Sequence, residues 1–275
     1  MKPDEIDFVA EVCRAAAGIR VDPEKIYLVE SRLAPVARRE GFGSIREMLI
    51  SARQRKEEKL LWSVVEAMAQ GETCFLRDPT MFERLREEVL PQLAVRRQPG
   101  APPIQVWSAG CATGQEAYSV AMMVEDAGAG VLACGVEILG TDLSERALEK
   151  AQTGLFTQFE VQRGLPIQLL TRHFEKRDEL WALSPRLRAM VRWRRVNLNA
   201  ELRGLAGLDI ILCRNVLMNM TPEARTRVLG QLTQVLAPGG YLVLGADESA
   251  DELPNGLTSQ GSGLLRLDPA ARVAA

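Results

Sequence analysis

The first hundred residues place apolar side chains with the spacing of amphipathic helices. Apolar positions recur every three to four residues and predict helices over Asp4–Ala17, Asp22–Arg39, Ser44–Arg55 and Glu57–Gln70. Gly18 and Gly41 follow the first two segments, where a residue that tolerates a left-handed backbone commonly ends a helix. The pattern therefore predicts a small all-helical N-terminal domain over residues 1–80.

The pattern changes after Gln98-Pro99-Gly100-Ala101-Pro102-Pro103, which is the strongest breaker in the chain. A linking helix, Phe82–Val95, is predicted before it, so that residues 81–103 form a connection. Beyond it, the predicted strands are Ile104–Trp107, Gly135–Gly140, Val191–Val196, Asp209–Leu212 and Tyr241–Gly245, and the helices between them are Gln115–Asp126, Glu145–Ala151 and Pro222–Leu236. This alternation predicts an α/β fold over residues 104–275, with a doubly wound, Rossmann-like parallel sheet that binds its ligand at the carboxyl ends of the strands.

Two stretches do not fit the alternation. Residues 152–190 are too long for a plain crossover and are predicted to form an insertion. Residues 251–263 are rich in Gly, Ser and Asn and predict an irregular tail.

The composition argues against several kinds of function and site. The net charge of −2 argues against a general nucleic-acid binder, and the five cysteines show no CxxC pairing, so neither a metal site nor a disulfide is expected. The single histidine, His173, lies in a polar helical stretch and is expected at the surface of a helix. No apolar run approaches the roughly 20 residues of a membrane span, and Met1–Arg20 lacks the features of a secretory signal, so a cytoplasmic protein without membrane insertion is expected. Without a heptad pattern, a monomer is expected.

The small-residue loop Gly110-Cys111-Ala112-Thr113-Gly114 follows the first predicted strand. It differs from the Gly-x-Gly-x-x-Gly of dinucleotide-binding proteins and has Glu116 near the start of the next helix, where a carboxylate would repel a diphosphate. The same charge suits a cofactor that carries an ammonium and a sulfonium group, such as S-adenosylmethionine. The alternative is a capping box between Thr113 and Glu116, which needs no ligand.

Two later positions have the same ambiguity. Asp142 follows the second predicted strand, where an acidic residue accepts hydrogen bonds from ribose hydroxyls; the alternative is an N-cap for the helix that begins at Glu145. Asn197-Leu198 follows the third strand and could present an amide and a backbone group to adenine; the alternative is a simple turn asparagine.

Together these segments resemble the CheR family of chemotaxis-receptor methyltransferases, which methylate receptor glutamates with S-adenosylmethionine. The resemblance runs from about Ile19 to Ser249. Its segments are Gly71–Asp78, similar to the family's Asn-x-Thr-x-Phe-Phe-Arg, then Ser108–Ser119, Thr141-Asp142, Glu160–Pro166, Asn197-Leu198 and Asp209–Val216.

The resemblance implies S-adenosylmethionine as cofactor and S-adenosylhomocysteine as product. The residues expected to bind the cofactor are Thr73, Arg77, Gly110, Glu116, Asp142, Asn197, Leu198, Cys213 and Arg214. Arg77 would face the carboxylate end of the cofactor or the substrate acid and is, with Asn219, a candidate catalytic residue. From the residues alone, a surface ion pair of Arg77 with Asp78 or Glu83 is equally compatible.

The chain departs from the family pattern at three positions. Gly71 replaces an asparagine, Asn219 stands where the family has a tyrosine, and Ala246 replaces a histidine within Gly245-Ala246-Asp247-Glu248. Two alternatives to receptor methylation therefore remain: a catalytically weakened module that binds the cofactor or signals by contact, and a methyltransferase for another substrate.

The helical domain offers a basic partner surface. From Ser31 to Lys56 the basic residues Arg32, Arg38, Arg39, Arg46, Arg53, Arg55 and Lys56 stand against Glu40 and Glu47, a local charge of 7 − 2 = +5. An acidic helical receptor would be attracted to this surface, most directly to Arg32, Arg38 and Arg39. The alternative is an ordinary solvated helix face.

Overall fold

The computed structural model describes residues 1–55, 57–69, 71–97, 100–246, 248 and 253–270. The chain divides into two units, one of residues 1–71, 197–201 and 216–228, and one of residues 72–196, 202–215 and 229–275. Of the features predicted above, Lys56, Gln70, Gln98-Pro99, Asp247 and residues 249–252 lie outside the described residues.

The first unit contains the helices predicted near the N-terminus. They are α1 Pro3–Ala17, α2 Ile26–Arg39, α3 Ile45–Arg55 and α4 Glu58–Ala69. Helix α1 ends at Gly18 with φ 66°, as predicted, and its apolar face buries Ile6, Val9 and Cys13. Asp22 caps a 3₁₀ turn, Pro23–Lys25, that leads into α2.

The second unit is built on a twisted sheet. In chain order the strands are β1 Ile104–Ala109, β2 Val136–Asp142, β3 Leu155–Thr157, β4 Phe174–Arg177, β5 Leu180–Leu183, β6 Val191–Arg195, β7 Leu208–Cys213, β8 Leu236–Leu244, β9 Leu257–Ser259 and β10 Leu264–Leu267. Within the described residues the main sheet has the order β6-β2-β1-β7-β8-β10-β9. The first five strands in this order pair parallel, and β10 pairs antiparallel with both β8 and β9. The predicted Rossmann-like α/β class is confirmed.

Helices cover this sheet and connect its strands. They are α5 Pro79–Arg84, α6 Leu90–Arg96, α7 Gln115–Glu125, α8 Ala129–Cys134, α9 Glu145–Thr153, α10 Gln158–Gln162, α11 Ile167–His173, α12 Pro185–Ala189 and α13 Pro222–Val235. The linking helix predicted over Phe82–Val95 is observed as α5 and α6 joined by a π-helical segment, Leu85–Val89. The domain limits proposed from the sequence stay a prediction.

The central strands are apolar because helices lie on both faces of the sheet. Every residue of β7 is buried, and so is every residue of β1 except Gln105. A parallel sheet of this kind gathers the carboxyl ends of β1, β2 and β7 at one edge, and that edge carries the candidate site.

The predicted insertion forms a second sheet. Strands β3, β5 and β4 pair antiparallel in that order. Phe156 of β3 and Phe174 of β4 pack edge-on against Phe75, with ring centroids 5.0 and 5.5 Å away. The insertion is therefore packed on the segment that carries Arg77.

Three expectations were wrong. His173 is buried, 4% exposed, because it is the last residue of α11 and its Nδ1 lies 3.3 Å from Glu125 Oε2 at the end of α7. The strand predicted over Tyr241–Gly245 begins earlier, at Leu236, directly after the last residue of α13, Val235. The tail after Leu253 is not irregular, because β9 and β10 extend the sheet there. In the described residues, no helix is long and apolar enough to cross a membrane.

Candidate functional site

The loop after β1 is tied to the end of β2. The backbone N–H groups of Gly110 and Cys111 both donate to Thr141 O, at 2.8 and 2.9 Å. Gly110 and Gly114 have φ of 75° and 92°, a left-handed conformation that glycine adopts without strain. The loop therefore passes the sheet edge in a fixed shape, and α7 begins directly after it.

Asp142, the last residue of β2, joins two loops. Its Oδ2 accepts Ala112 N–H at 2.8 Å, and its Oδ1 accepts Ser144 N–H at 2.9 Å. The N-cap of α9 is Ser144, whose Oγ accepts Ala147 N–H. The alternative reading of Asp142 as that N-cap is therefore wrong, and its half-buried carboxylate lies at the ligand edge of the sheet.

Glu116 points toward the sheet. Ser108 Oγ donates to Glu116 Oε1 at 2.8 Å, and Arg214 Nη1 lies 3.5 Å from Oε2. Burial raises the pKa of Glu116, and the charge of Arg214 opposes that rise. The capping box with Thr113 is not formed, because Gly114 is the N-cap of α7 and Thr113 Oγ1 donates to the Gln115 side chain.

Arg214, directly after β7, is the centre of an ionic cluster. It is 7% exposed and lies 5.8 Å above the Phe82 ring. Its Nη1 donates to Arg77 O at 2.6 Å, and its Nη2 lies 3.5 Å from Asp78 Oδ2. Its Nε is buried and has no protein partner, which leaves a donor for a ligand or a water molecule.

Cys213 and Thr73 flank this cluster in the sequence. Cys213 is fully buried, and burial raises the pKa of its thiol well above the ordinary value, so it is an inert contact rather than a nucleophile. Thr73 is half-buried in the segment that precedes Arg77.

Arg77 itself is exposed. Its Nη1 donates to Glu72 O at 3.3 Å, and its charge, after that of Arg214, opposes the rise in the pKa of Glu116. Asp78 pairs with Arg214 instead, and no ion pair of Arg77 with Asp78 or Glu83 occurs in the described part of the chain.

The remaining candidates, Asn197, Leu198 and Asn219, belong to the first unit. Asn197 Nδ2 donates to Ala16 O at 2.7 Å, and its Oδ1 accepts Asn199 N–H at 3.0 Å, the bond expected of a turn asparagine. Leu198 is buried, and Asn219 is exposed at the end of a 3₁₀ turn. Their roles at the cofactor stay predictions.

The second unit thus brings Arg77, Gly110, Glu116, Asp142 and Arg214 to one edge of one sheet. Sequence reasoning missed three polar residues that support them: Ser108, Ser119 and Glu248. Glu248 Oε2 accepts the N–H groups of Asn215 and Gly245, at 2.7 and 2.8 Å. For Ser108 and Ser119 the available signal was a polar residue inside an apolar run. No cluster suited to a metal ion is present among the described residues.

Comparisons with known proteins show which family the chain is similar to. A family described as CheR methyltransferase, SAM binding domain, matches residues 71–262. The chain is 36% identical to chemotaxis protein methyltransferase Cher2 of Pseudomonas putida over 87% of this chain and 88% of the relative. It is 36% identical to chemotaxis protein methyltransferase 1 of Pseudomonas aeruginosa over 90% of this chain and 89% of the relative. A solved TehB-like SAM-dependent methyltransferase of Corynebacterium glutamicum matches at 15% identity and a TM-score of 0.35, covering 69% of this chain and 97% of that chain.

Proposed function

Because this chain belongs to the CheR methyltransferase family, we propose that it transfers the methyl group of S-adenosylmethionine to glutamate side chains of chemotaxis receptors. The chain is a methyltransferase that uses S-adenosylmethionine. The observation that best supports the proposed site is that two carboxylates, Glu116 and Asp142, lie at the sheet edge that also carries Arg214, which pairs with Glu116.

These charges match the groups of the cofactor. Glu116 would attract its ammonium and sulfonium charges, Asp142 would accept hydrogen bonds from its ribose, and Arg77 would face its carboxylate or the substrate acid. A carboxylate at the start of α7 disfavours a diphosphate at the same place. The unpartnered Nε of Arg214 is a further donor at this edge.

The chain needs no general base for this reaction. A substrate glutamate with a pKa of about 4.3 is already ionised near neutral pH. When bound, the cofactor supplies the methyl group, which the substrate carboxylate oxygen takes as the carbon–sulfur bond breaks and its electron pair stays on sulfur. The protein's part is to align the acceptor and exclude water, and alignment alone is worth up to about 7 to 11 kcal/mol in intramolecular reactions. Asn219, in place of the family's tyrosine, would orient the acceptor by hydrogen bonding.

The test is methyl-ester formation on a receptor. The protein is incubated with methyl-labelled S-adenosylmethionine and a receptor cytoplasmic fragment, and base-labile label is counted, with a fragment whose acceptor glutamates are replaced by alanine as control. Label that depends on those glutamates supports the proposal. Binding of S-adenosylhomocysteine without any ester would indicate the signalling-module alternative, and label on another target the alternative substrate.

Three finer proposals follow. We propose that the chain acts as a cytoplasmic monomer, and that the basic helical face contacts the receptor. Arg38 and Arg39 are exposed, which suits that role, whereas Arg32 is half-buried and its Nη1 donates to Met68 O at 2.8 Å. Arg38 and Arg39 are therefore the residues on which we rest the partner surface.

A further inference from the structure

The turn that carries Arg77 has an unfavourable backbone. Leu76 and Asp78 have φ of 45° and 63°, in the left-handed region that side-chain-bearing residues seldom adopt. Such conformations persist only where surrounding contacts hold them, and they concentrate at functional sites. The contacts around residues 76–78 therefore hold the turn in this conformation.

One contact comes from Ser119, in the middle of α7. Its side chain is fully buried, and its Oγ accepts Leu76 N–H at 2.9 Å while donating to Gln115 O at 2.7 Å. Replacement of Ser119 by alanine removes the hydroxyl that accepts the Leu76 N–H, and a buried donor that loses its partner is costly. Ser119 bonds only to backbone groups and carries no charge.

The other contacts come from Arg214 and from the core. Arg214 binds the carbonyl of Arg77 and the carboxylate of Asp78. Phe75, fully buried, anchors the chain immediately before the turn. The Leu76 amide, the Arg77 carbonyl and the Asp78 carboxylate are thus each held, while the exposed Arg77 side chain donates from Nη1 to Glu72 O at 3.3 Å.

We propose that Ser119 is a positioning residue for methyl transfer: together with Arg214 it fixes the Leu76–Asp78 turn and thereby sets the place of the Arg77 guanidinium. The inference rests on the proposed function, in which Arg77 meets the cofactor carboxylate or the substrate acid. Ser119 itself touches neither of them and acts through Arg77.

The test uses Ser119→Ala and a matched control, Thr233→Val. Thr233 is also buried in a helix, and its Oγ1 donates to Leu229 O at 2.8 Å, the same bond to the preceding turn that Ser119 makes. Removing one buried hydrogen-bond partner typically costs a factor of about ten in an equilibrium or rate. We expect Ser119→Ala to lower kcat/KM for receptor methylation about tenfold and to weaken S-adenosylhomocysteine binding. Thr233→Val should change kcat/KM and S-adenosylhomocysteine affinity by less than about twofold. Its Tm should fall by an amount similar to that of Ser119→Ala.

A double-mutant cycle separates positioning from general destabilisation. In an Arg77→Ala background the effect of Ser119→Ala should shrink to less than about threefold, because the side chain it positions is gone. If the losses in kcat/KM of Ser119→Ala and Arg77→Ala simply multiply in the double variant, the proposal is overturned. An unchanged kcat/KM in Ser119→Ala would also overturn it. If Ser119→Ala does not fold, Ser119→Cys keeps the volume with a weaker acceptor and should show an intermediate loss.

Two readouts do not depend on the reaction. The Leu76 amide should exchange hydrogen faster in Ser119→Ala than in Thr233→Val, and unchanged exchange would contradict the role of the hydroxyl. The same cycle run on S-adenosylhomocysteine affinity tests the coupling to Arg77 even if the wild-type protein forms no methyl ester. Failure of the proposed function is therefore distinguishable from failure of this inference.

Discussion

At the scale of single residues, Glu116 is the charge that distinguishes this loop from a dinucleotide-binding loop. Ser108 and Arg214 hold its two oxygens, so the carboxylate is oriented before any ligand binds. Burial raises its pKa above the ordinary value of 4.5, so it takes up a proton at a higher pH than a free glutamate.

This shift predicts a pH dependence of cofactor binding. Because the ionised form attracts the cofactor ammonium, affinity for S-adenosylhomocysteine should fall as the pH is lowered from 7 to 5. Glu116→Gln should bind about tenfold more weakly at pH 7 and show a smaller slope, measured by titration calorimetry.

The ionisation of Glu116 would not unfold the protein at low pH, so unfolding caused by this group would not explain the loss of affinity. A raised folded-state pKa means that ionised Glu116 lowers the free energy of unfolding above its unfolded pKa, and that this cost is relieved as the pH falls through the folded pKa. Equal slopes for the wild type and Glu116→Gln would exclude Glu116 as the titrating group.

His173 predicts the opposite effect on stability. Burial lowers its pKa below 6.5 despite the nearby Glu125 carboxylate, so the folded state favours the neutral ring. The unfolded chain binds a proton first, and stability is therefore lost as the pH falls below about 6.5 toward the folded-state pKa. Urea unfolding at pH 7.5 and 5.5 should show this loss in the wild type and a smaller one in His173→Leu.

At this scale the sequence predicted positions better than contacts. Asp142 and Arg214 are predictable because they follow apolar strands, whose ends define the ligand edge, and Glu116 because it begins the helix after the small-residue loop. Ser108, which bonds Glu116, and Ser119, which bonds the Leu76 amide, lie inside apolar runs and are brought to their partners only by packing. The surface position expected for His173 is wrong for the same reason: the polar residues beside it in the sequence predict exposure, but packing of the end of α11 near Glu125 of α7 buries it.

At the scale of elements, the contact between β2 and β6 depends on glycines, which have no side chain. A Cβ added to Gly140 would lie 2.4 Å from the Trp193 ring, and one added to Gly114 would lie 2.9 Å from it. The indole therefore packs directly on the backbone of β2 and on the loop before α7, so these elements must fit one another closely.

Gly140→Ala should lower the free energy of unfolding by about 1 to 3 kcal/mol, because the ring must move. Trp193→Leu would remove the ring that the added Cβ meets, but would itself lower the free energy of unfolding because packing contacts are lost. The double variant should be more stable than the sum of the two single losses predicts, as measured by denaturant unfolding. Strict additivity would show that the ring is not the cause.

Element prediction succeeded where strands are long and apolar and failed where they are short. Strands β1, β2 and β7 were predicted near their observed limits. The insertion strands are three or four residues long, too short for a period to be recognised. Strands β9 and β10 follow a polar, glycine-rich sequence, and pairing with β8 overrides that composition.

At the scale of the whole molecule, charge is distributed unevenly although the net charge is only −2. Arg39 pairs with Glu40, and Arg46 lies 3.6 Å from Glu5, so part of the basic excess on the helical unit is neutralised. Arg38 and Arg39 nevertheless remain exposed on α2, where they can attract an acidic partner.

Reversing Arg38 and Arg39 to glutamate should slow receptor methylation about tenfold at low salt and less at high salt, because exposed charges are screened. Affinity for S-adenosylhomocysteine should stay within about twofold. The matched control reverses Arg192 and Arg194, which are also exposed, on β6, and lie outside the proposed surface. Equal losses in both pairs would indicate a general charge effect instead.

Asp142 has a consequence for the whole binding event. Since one carboxylate fastens the crossover after β1 to the crossover after β2, the entropy of ordering both loops is lost during folding rather than at ligand capture. The cofactor would then enter a cradle that is already rigid on this side, and its association rate would be governed by diffusion and access rather than by loop closure.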